Sequence, residues 1–263
     1  MPTLRIVGDD IGLSPRQNDH VVALAREGLL TGVSILTNFP HAESVCQQLH
    51  ALGIEDIGVH LNLSDGFPLT PLPRGGALVH RSGRFRDRRW LMWRGLRLHQ
   101  RLRTQISEEL AAQIERIHRW GARPAHLDSH CHFHTIPAFT RLVQELALQF
   151  EIPRIRAPHL RANLAPLSPS LLPQRIRGVE WAGQRQSLVL AEQWLQESPF
   201  HLISMIAQCK GEVELVVHPG CTPDEAFPHR FRYSPEMRAR ESEFLRRFWI
   251  SFRAESQGIE LAK

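Results

Sequence analysis

The chain has 263 residues, 42% of them hydrophobic and 22% charged, with a formal net charge of +5. That length suits one domain with a large core, such as a single α/β barrel, and no apolar stretch is long enough to argue for a membrane-embedded protein. Its four cysteines (Cys46, Cys131, Cys209 and Cys221) are far apart and form no C-x-x-C pair. This argues against a disulfide framework and reads as a reduced, cytoplasmic protein.

Strand and helix signals alternate along the chain. Residues 4–8 read as a short apolar strand that follows Met1 almost directly, without the charged-then-apolar pattern of a secretion signal. Ser14 and Pro15 suit an N-cap and first helical position, opening a helix to about Gly28. Further strands are expected at 33–36, 56–63, 126–134, 154–157, 213–217 and 259–261. Helices are expected at 41–52, 105–120, 137–149, around 190–208 and at 235–254. Two excursions interrupt the pattern. One, at 64–104, contains Pro68, Pro71, Pro73 and Gly75-Gly76; the other, at about 158–185, contains Pro158, Pro166, Pro169 and Pro173. Seven strands separated mostly by helices imply a parallel sheet, and residues 1–263 read as one barrel-like domain with insertions.

The positive charge comes from arginine, since Lys210 and Lys263 are the only lysines. Part of it is concentrated between Arg81 and Arg103, where Arg88, Arg89, Arg94, Arg97, Arg101 and Arg103 interleave with Trp90 and Trp93. Such a segment can lie on an anionic membrane surface or grip an anionic ligand, and it can equally be a solvent-facing helix.

The most informative run is His126-Leu127-Asp128-Ser129-His130-Cys131-His132-Phe133-His134. In an extended strand its four histidines and one aspartate would all project to one face, with Leu127, Cys131 and Phe133 on the other. Burying that many polar groups without partners would be costly, so a metal or proton-transfer site is indicated. Three other strand ends carry polar groups: Asp9-Asp10 after the first, His60 and Asn62 in the third, and His218-Pro219-Gly220 after the sixth. Each has a plain structural reading of its own: a capping device, a hydrogen-bonded core histidine, a turn. Their recurrence at equivalent ends, where barrels gather their chemistry, favours one shared site.

Taken in order, Asp9-Asp10-Ile11-Gly12, His60-Leu61-Asn62-Leu63, the histidine run and Val217-His218-Pro219-Gly220 resemble the YdjC-like carbohydrate deacetylases. The stretch Thr31 to Asn38 also looks like that family's second strand. Ile11 stands where phenylalanine is usual, and 64–104 and 158–185 match poorly. The resemblance implies an irregular seven-stranded (β/α) barrel. It also implies a divalent metal, magnesium ahead of zinc, held by Asp10, His60 and His130. By the same resemblance Asp9 is the base and His218 the proton donor, with His134 as the competing donor. Asn62, Asp128, His132 and His134 would bind substrate or support the ligands.

The implied reaction removes the N-acetyl group of an acetylated amino sugar, carried on an oligosaccharide or a glycolipid. A metal would activate water and stabilise the oxyanion, while an acid protonates the departing amine. A homodimer and peripheral membrane contact through 81–103 accompany this expectation; nucleic acid does not. Two rivals use the same residues. A non-haem iron oxygenase would take His126-x-Asp128 and a distant histidine as its triad, but on an all-β jelly roll. A basic membrane- or nucleic-acid-binding protein would leave the histidine run unexplained.

Overall fold

The computed structural model describes residues 1–94, 98–156, 180–181, 185–189, 195, 198–222, 227, 231, 233–255 and 258–262. Nine parallel-paired strands form one sheet: β1 (Thr3–Ile11), β2 (Gly32–Ile35), β3 (Asp56–Leu61), β4 (His126–Ser129), β5 (Arg154–Ile155), β6 (Glu180–Trp181), β7 (Arg185–Val189), β8 (Glu212–Val217) and β9 (Glu260–Leu261). Their order is β6-β5-β4-β3-β2-β1-β8-β7, with β9 added beside the start of β1. The helices are α1 (Pro15–Arg26), α2 (Ala42–Ala51), α3 (Arg88–Arg94), α4 (Gln100–Arg119), α5 (Pro137–Gln149), α6 (Pro199–Ala207) and α7 (Pro235–Glu255). The expected α/β barrel class holds: this is a curled parallel sheet with helices packed along it. Strands occur at all seven expected places, joined by the short β6 and β7. Most of the second excursion, and residues 190–194 and 196–197 of the expected fifth helix, lie outside the described residues.

Alternation along the strands separates two environments. Leu4, Ile6, Ile57, Val59, Leu127, Ile155, Val213, Leu215 and Val217 belong to one buried apolar cluster with helix residues such as Val21, Leu49, Ile114, Val143 and Phe248. The alternate positions face one another across the inner surface and, apart from residues such as Val7 and Val216, are mostly polar. Arg5, Asp56, His126, Arg154 and Glu212 form a lower layer of ion pairs. Asp9, His60, Asp128, Arg156 and Glu214 form an upper one. The register that pairs Gly58 with His126 and His60 with Asp128 sets this layering. Paired and hydrogen-bonded, these buried charges are tolerated where isolated ones would not be.

Local signals explain most boundaries. Ser14 caps α1 by accepting the Gln17 N–H at 3.1 Å, with Pro15 at the first helical position, as the sequence suggested. Helix α4 starts five residues earlier than expected because the His99 ring acts as its cap, accepting the Leu102 N–H at 3.3 Å. The first excursion is anchored rather than loose. Glu109 of α4, fully buried, accepts the backbone N–H groups of Leu69 and Thr70 at 3.0 and 2.8 Å. In the Arg/Trp segment, Trp90 packs on the core under the Arg86 guanidinium, 5.2 Å from the ring centre, while Trp93 is exposed.

Close packing between the layers requires glycine at 58. A Cβ there would lie 2.5 Å from Cδ2 of the His126 ring, which is hemmed in by Asp56. Gly58→Ala should therefore destabilise the fold by about 2 kcal/mol or more, read as a lower urea midpoint at unchanged m-value. An unchanged midpoint would mean that the ring is free to move aside.

Candidate metal centre

Near its end strand β1 carries the two aspartates, where its register with β2 shifts between Gly8 and Ile11. Asp10 adopts a left-handed conformation, φ 57°, unusual for a residue other than glycine. Gln17 holds this kink by donating to the Asp10 carbonyl at 2.9 Å and to the Pro219 carbonyl at 3.2 Å, joining the ends of β1 and β8. The two adjacent carboxylates consequently meet different partners.

Asp10 faces two imidazoles. Its Oδ1 lies 3.1 Å from His60 Nε2 and 2.6 Å from His130 Nδ1. Its Oδ2 accepts from Arg238 Nη2 at 2.6 Å. Asp9 points into the barrel, where both oxygens are held by the Arg156 fork at 2.6 and 2.7 Å. Arg156 also pairs with Asp128 and Glu214. Each imidazole beside Asp10 has a second carboxylate behind it. His60 Nδ1 is 2.9 Å from Asp128 Oδ1, which Ser34 also approaches, and His130 Nε2 is 3.2 Å from Asp65 Oδ2.

Burial disfavours charge at Asp10, His60, His130 and Asp128, but their neighbours override it. His130 and Arg238 hold the Asp10 carboxyl well below the usual carboxylate range. Beside Asp128 and Asp9 the His60 imidazole rises to about 10, and beside Asp10 that of His130 rises well above its ordinary value. Arg156 keeps Asp128 well below the carboxylate range.

This donor set fits a divalent metal. One carboxylate oxygen and two imidazole nitrogens, from Asp10, His60 and His130, lie within 4.8 Å of one another, all buried. Carboxylates behind ligating imidazoles are the usual device for fixing ring orientation at metal centres. The carboxylates around both rings favour their protonated forms, so an ion and protons would compete for the same nitrogens. Among the described residues two neighbouring groups, Asp65-His130-Cys131 and Asp9-His60-Asp128, also have suitable spacing, but each shares a histidine with the first.

The histidine run is corrected by the structure. Strand β4 stops at Ser129, and residues 130–135 turn in a 3-10 segment with Cys131 and His132 at φ 59° and 55°. The Ser129 hydroxyl draws the chain round by accepting the His134 N–H at 3.0 Å. The five polar groups therefore do not share a face. Asp128 and His130 reach the centre. His126 sits one layer below it, 2.8 Å from Asp56, and joins no metal-spaced group among the described residues. The iron-triad reading, which needs His126 beside Asp128 as a ligand, loses its geometry on this parallel sheet. His134 is fully buried with Nδ1 2.6 Å from Ser129, and burial pushes its imidazole down to about 3. His132 is half-buried, its ring 6.4 Å from that of His134.

Asn62 acts through the backbone. It accepts from the Ser64 and Asp65 N–H groups at 3.0 and 3.1 Å, forming the turn that presents Asp65 to His130. His218 leaves β8 directly after Val217, which pairs with Gly8, so it emerges beside Asp9. Its N–H donates to Glu241 at 2.6 Å, its Nδ1 is 3.5 Å from the same carboxylate, and Tyr233 stacks on its ring at 3.8 Å. Arg156, Asp65, Arg238 and Glu241 were not among the sequence candidates. Arg156 had one positional signal, the end of the fifth expected strand.

No helix among the described residues is long and apolar enough to cross a membrane. A chitooligosaccharide deacetylase of Proteus mirabilis HI4320 is 35% identical over 167 residues, covering 61% of this chain and 60% of the relative. A carbohydrate deacetylase of Halalkalibacterium halodurans C-125 is 32% identical over 152 residues, covering 57% of this chain and 62% of the relative. The chain thus spans about three fifths of the length of these relatives. A solved Enterococcus faecalis V583 structure, named for cellobiose-phosphate cleavage, shares the fold: TM-score 0.80 at 22% identity, over 100% of this chain and 97% of that one. The YdjC-like protein family matches residues 3–250, almost the whole sheet and its helices, and this chain belongs to that family.

Proposed function

We propose that this protein is a divalent-metal-dependent hydrolase that removes N-acetyl groups from acetylated amino sugars carried on an oligosaccharide or glycolipid. The observation that carries the reading is the buried Asp10-His60-His130 set with Asp9 on one side and His218 beside it. Family membership and the names of the relatives support the substrate class. When bound, a divalent ion polarises the amide carbonyl and makes water acidic enough to attack. Asp9, fixed by the Arg156 fork, accepts the water's proton. His218, flanked by Glu241 and Tyr233, gives a proton to the amine nitrogen as the C–N bond breaks. The products are acetate and a free amino sugar. His218 suits this task better than His134, whose sealed ring stays neutral through the working pH range. The donor set accepts zinc or magnesium, with the expectation of magnesium ahead of zinc carried here as part of the proposal.

The test is acetate release from N-acetylglucosamine oligomers and from acetylated amino-sugar glycolipids by protein reconstituted with each metal. Release that is abolished by chelation and restored by a divalent ion is expected. Metal-replete protein that releases no acetate from either class would contradict the reading.

The buried His134 also has a consequence for acid stability. Its folded imidazole titrates near 3, below the ordinary 6.5, so between those values the unfolded chain binds the extra proton. Stability from this group is fully present above about pH 6.5 and declines on acidification, by at most about 1.4 kcal/mol per pH unit. His134→Gln should flatten that slope between pH 6.5 and 5 in urea titrations; an unchanged slope would place the titrating group elsewhere.

A further inference from the structure

Asp10 has two carboxylate oxygens, and the fold assigns them to different tasks. Oδ1 faces His60 and His130, whereas Oδ2 is capped by Arg238 at 2.6 Å. Arg238 lies on α7, far from β1 in sequence, and its side chain is fully buried. Several features hold the guanidinium in place. Its Nε donates to the Tyr233 carbonyl at 3.1 Å, and its Cζ lies 4.9 Å from the Phe227 ring centre and 5.7 Å from that of Phe231. Gly220 makes room for the stem, since a Cβ there would come 2.8 Å from Arg238 Cβ. Phe231 in turn packs 4.8 Å from the His130 ring.

An uncapped aspartate can bind a cation through both oxygens, and a lone carboxylate attracts a cation more strongly than one already paired with a guanidinium. We propose that Arg238 is a positioning residue that confines Asp10 to ligation through Oδ1, lowering the affinity for the ion while keeping coordination positions open for water and substrate. This rests on the metal reading proposed above. It differs from a merely structural role in the sign of its effect, because loss of a scaffold residue would weaken metal binding and turnover together.

The test is calorimetric titration of the full chain with Zn2+ and with Mg2+, alongside acetate release from N-acetylglucosamine oligomers. For Arg238→Met, binding at least about tenfold tighter is expected, with kcat at least about tenfold lower. Arg238→Lys keeps a charge near Oδ2 and should bind the ion within about threefold of the parent. Equal or weaker binding by a folded Arg238→Met protein would overturn the proposal. If that variant does not fold, Arg238→Lys decides, and binding more than about tenfold weaker than the parent would overturn it. A parent that binds ions without releasing acetate would contradict the deacetylase reading while leaving this titration decisive. A parent that binds neither ion would remove both.

Discussion

Replacing His60 with alanine should abolish metal binding and hydrolysis together. The residue is sealed between Asp10 and Asp128, so its removal deletes one of three donors and leaves two carboxylates facing a void. Metal affinity should fall by more than the 10–100-fold typical of losing a supporting partner, and acetate release by about 10³-fold or more. Asp128→Asn provides the comparison. It leaves the three donors in place and weakens the orientation of His60 together with the pairing to Arg156, so its loss in affinity should stay within about 100-fold. Equilibrium dialysis and acetate assay on the same preparations separate the two, with circular dichroism confirming that each variant is folded. A His60→Ala protein that retains parental metal content would remove His60 from the ligand set.

The second large effect concerns the paired aspartates, identical in type and adjacent in sequence. Asp9 has both oxygens on Arg156, while Asp10 presents one to the imidazoles. Asp9→Asn should lower kcat by about 10²–10⁴-fold while leaving metal affinity within about threefold, because in the proposed mechanism it removes a base and no ligand. Asp10→Asn should lose metal affinity first, with activity following. The opposite pattern, metal lost with Asp9→Asn and retained with Asp10→Asn, would exchange the two roles. The kink at Asp10 is what brings both carboxylates to the side of His60, each with its own partners. In a straight strand neighbouring side chains would simply alternate between the inner and outer faces of the sheet.

Much of this centre was legible in the sequence because barrel chemistry collects at strand ends. Asp9-Asp10, His60 and His218 could be placed there from apolar alternation alone, and the structure puts them at the ends of β1, β3 and β8. The histidine run misled for a physical reason. Regular spacing of polar and apolar residues reads as a strand, and nothing in Cys131-His132 announces two left-handed residues, since glycine and asparagine are absent. The decisive signal was a tertiary-like hydrogen bond from the His134 N–H to the Ser129 hydroxyl, which offers the backbone an alternative to the ladder.

The supporting residues were hidden differently. Arg156 and Arg238 stand in a chain whose cations are nearly all arginine, so composition gives neither any prominence. Their importance comes from complete burial against Asp9 and Asp10, which is a property of the fold. Asp65 was passed over because it lies inside the proline-rich excursion, yet Asn62 and Glu109 fix that loop at both sides. Glu241 falls one helical turn after Arg238, so the two share a face of α7 and reach His218 and Asp10 from the same helix. That pattern is visible in a sequence only once the partner strands are known.

The most direct test of the central claim is a crystal structure of the protein soaked with Zn2+, with diffraction recorded on both sides of the zinc absorption edge. One anomalous peak is expected, about 2.0–2.2 Å from Asp10 Oδ1 and from one nitrogen each of His60 and His130. A peak ligated by Asp65 and Cys131 without Asp10 and His60, or by Asp9 in place of Asp10, would contradict the account.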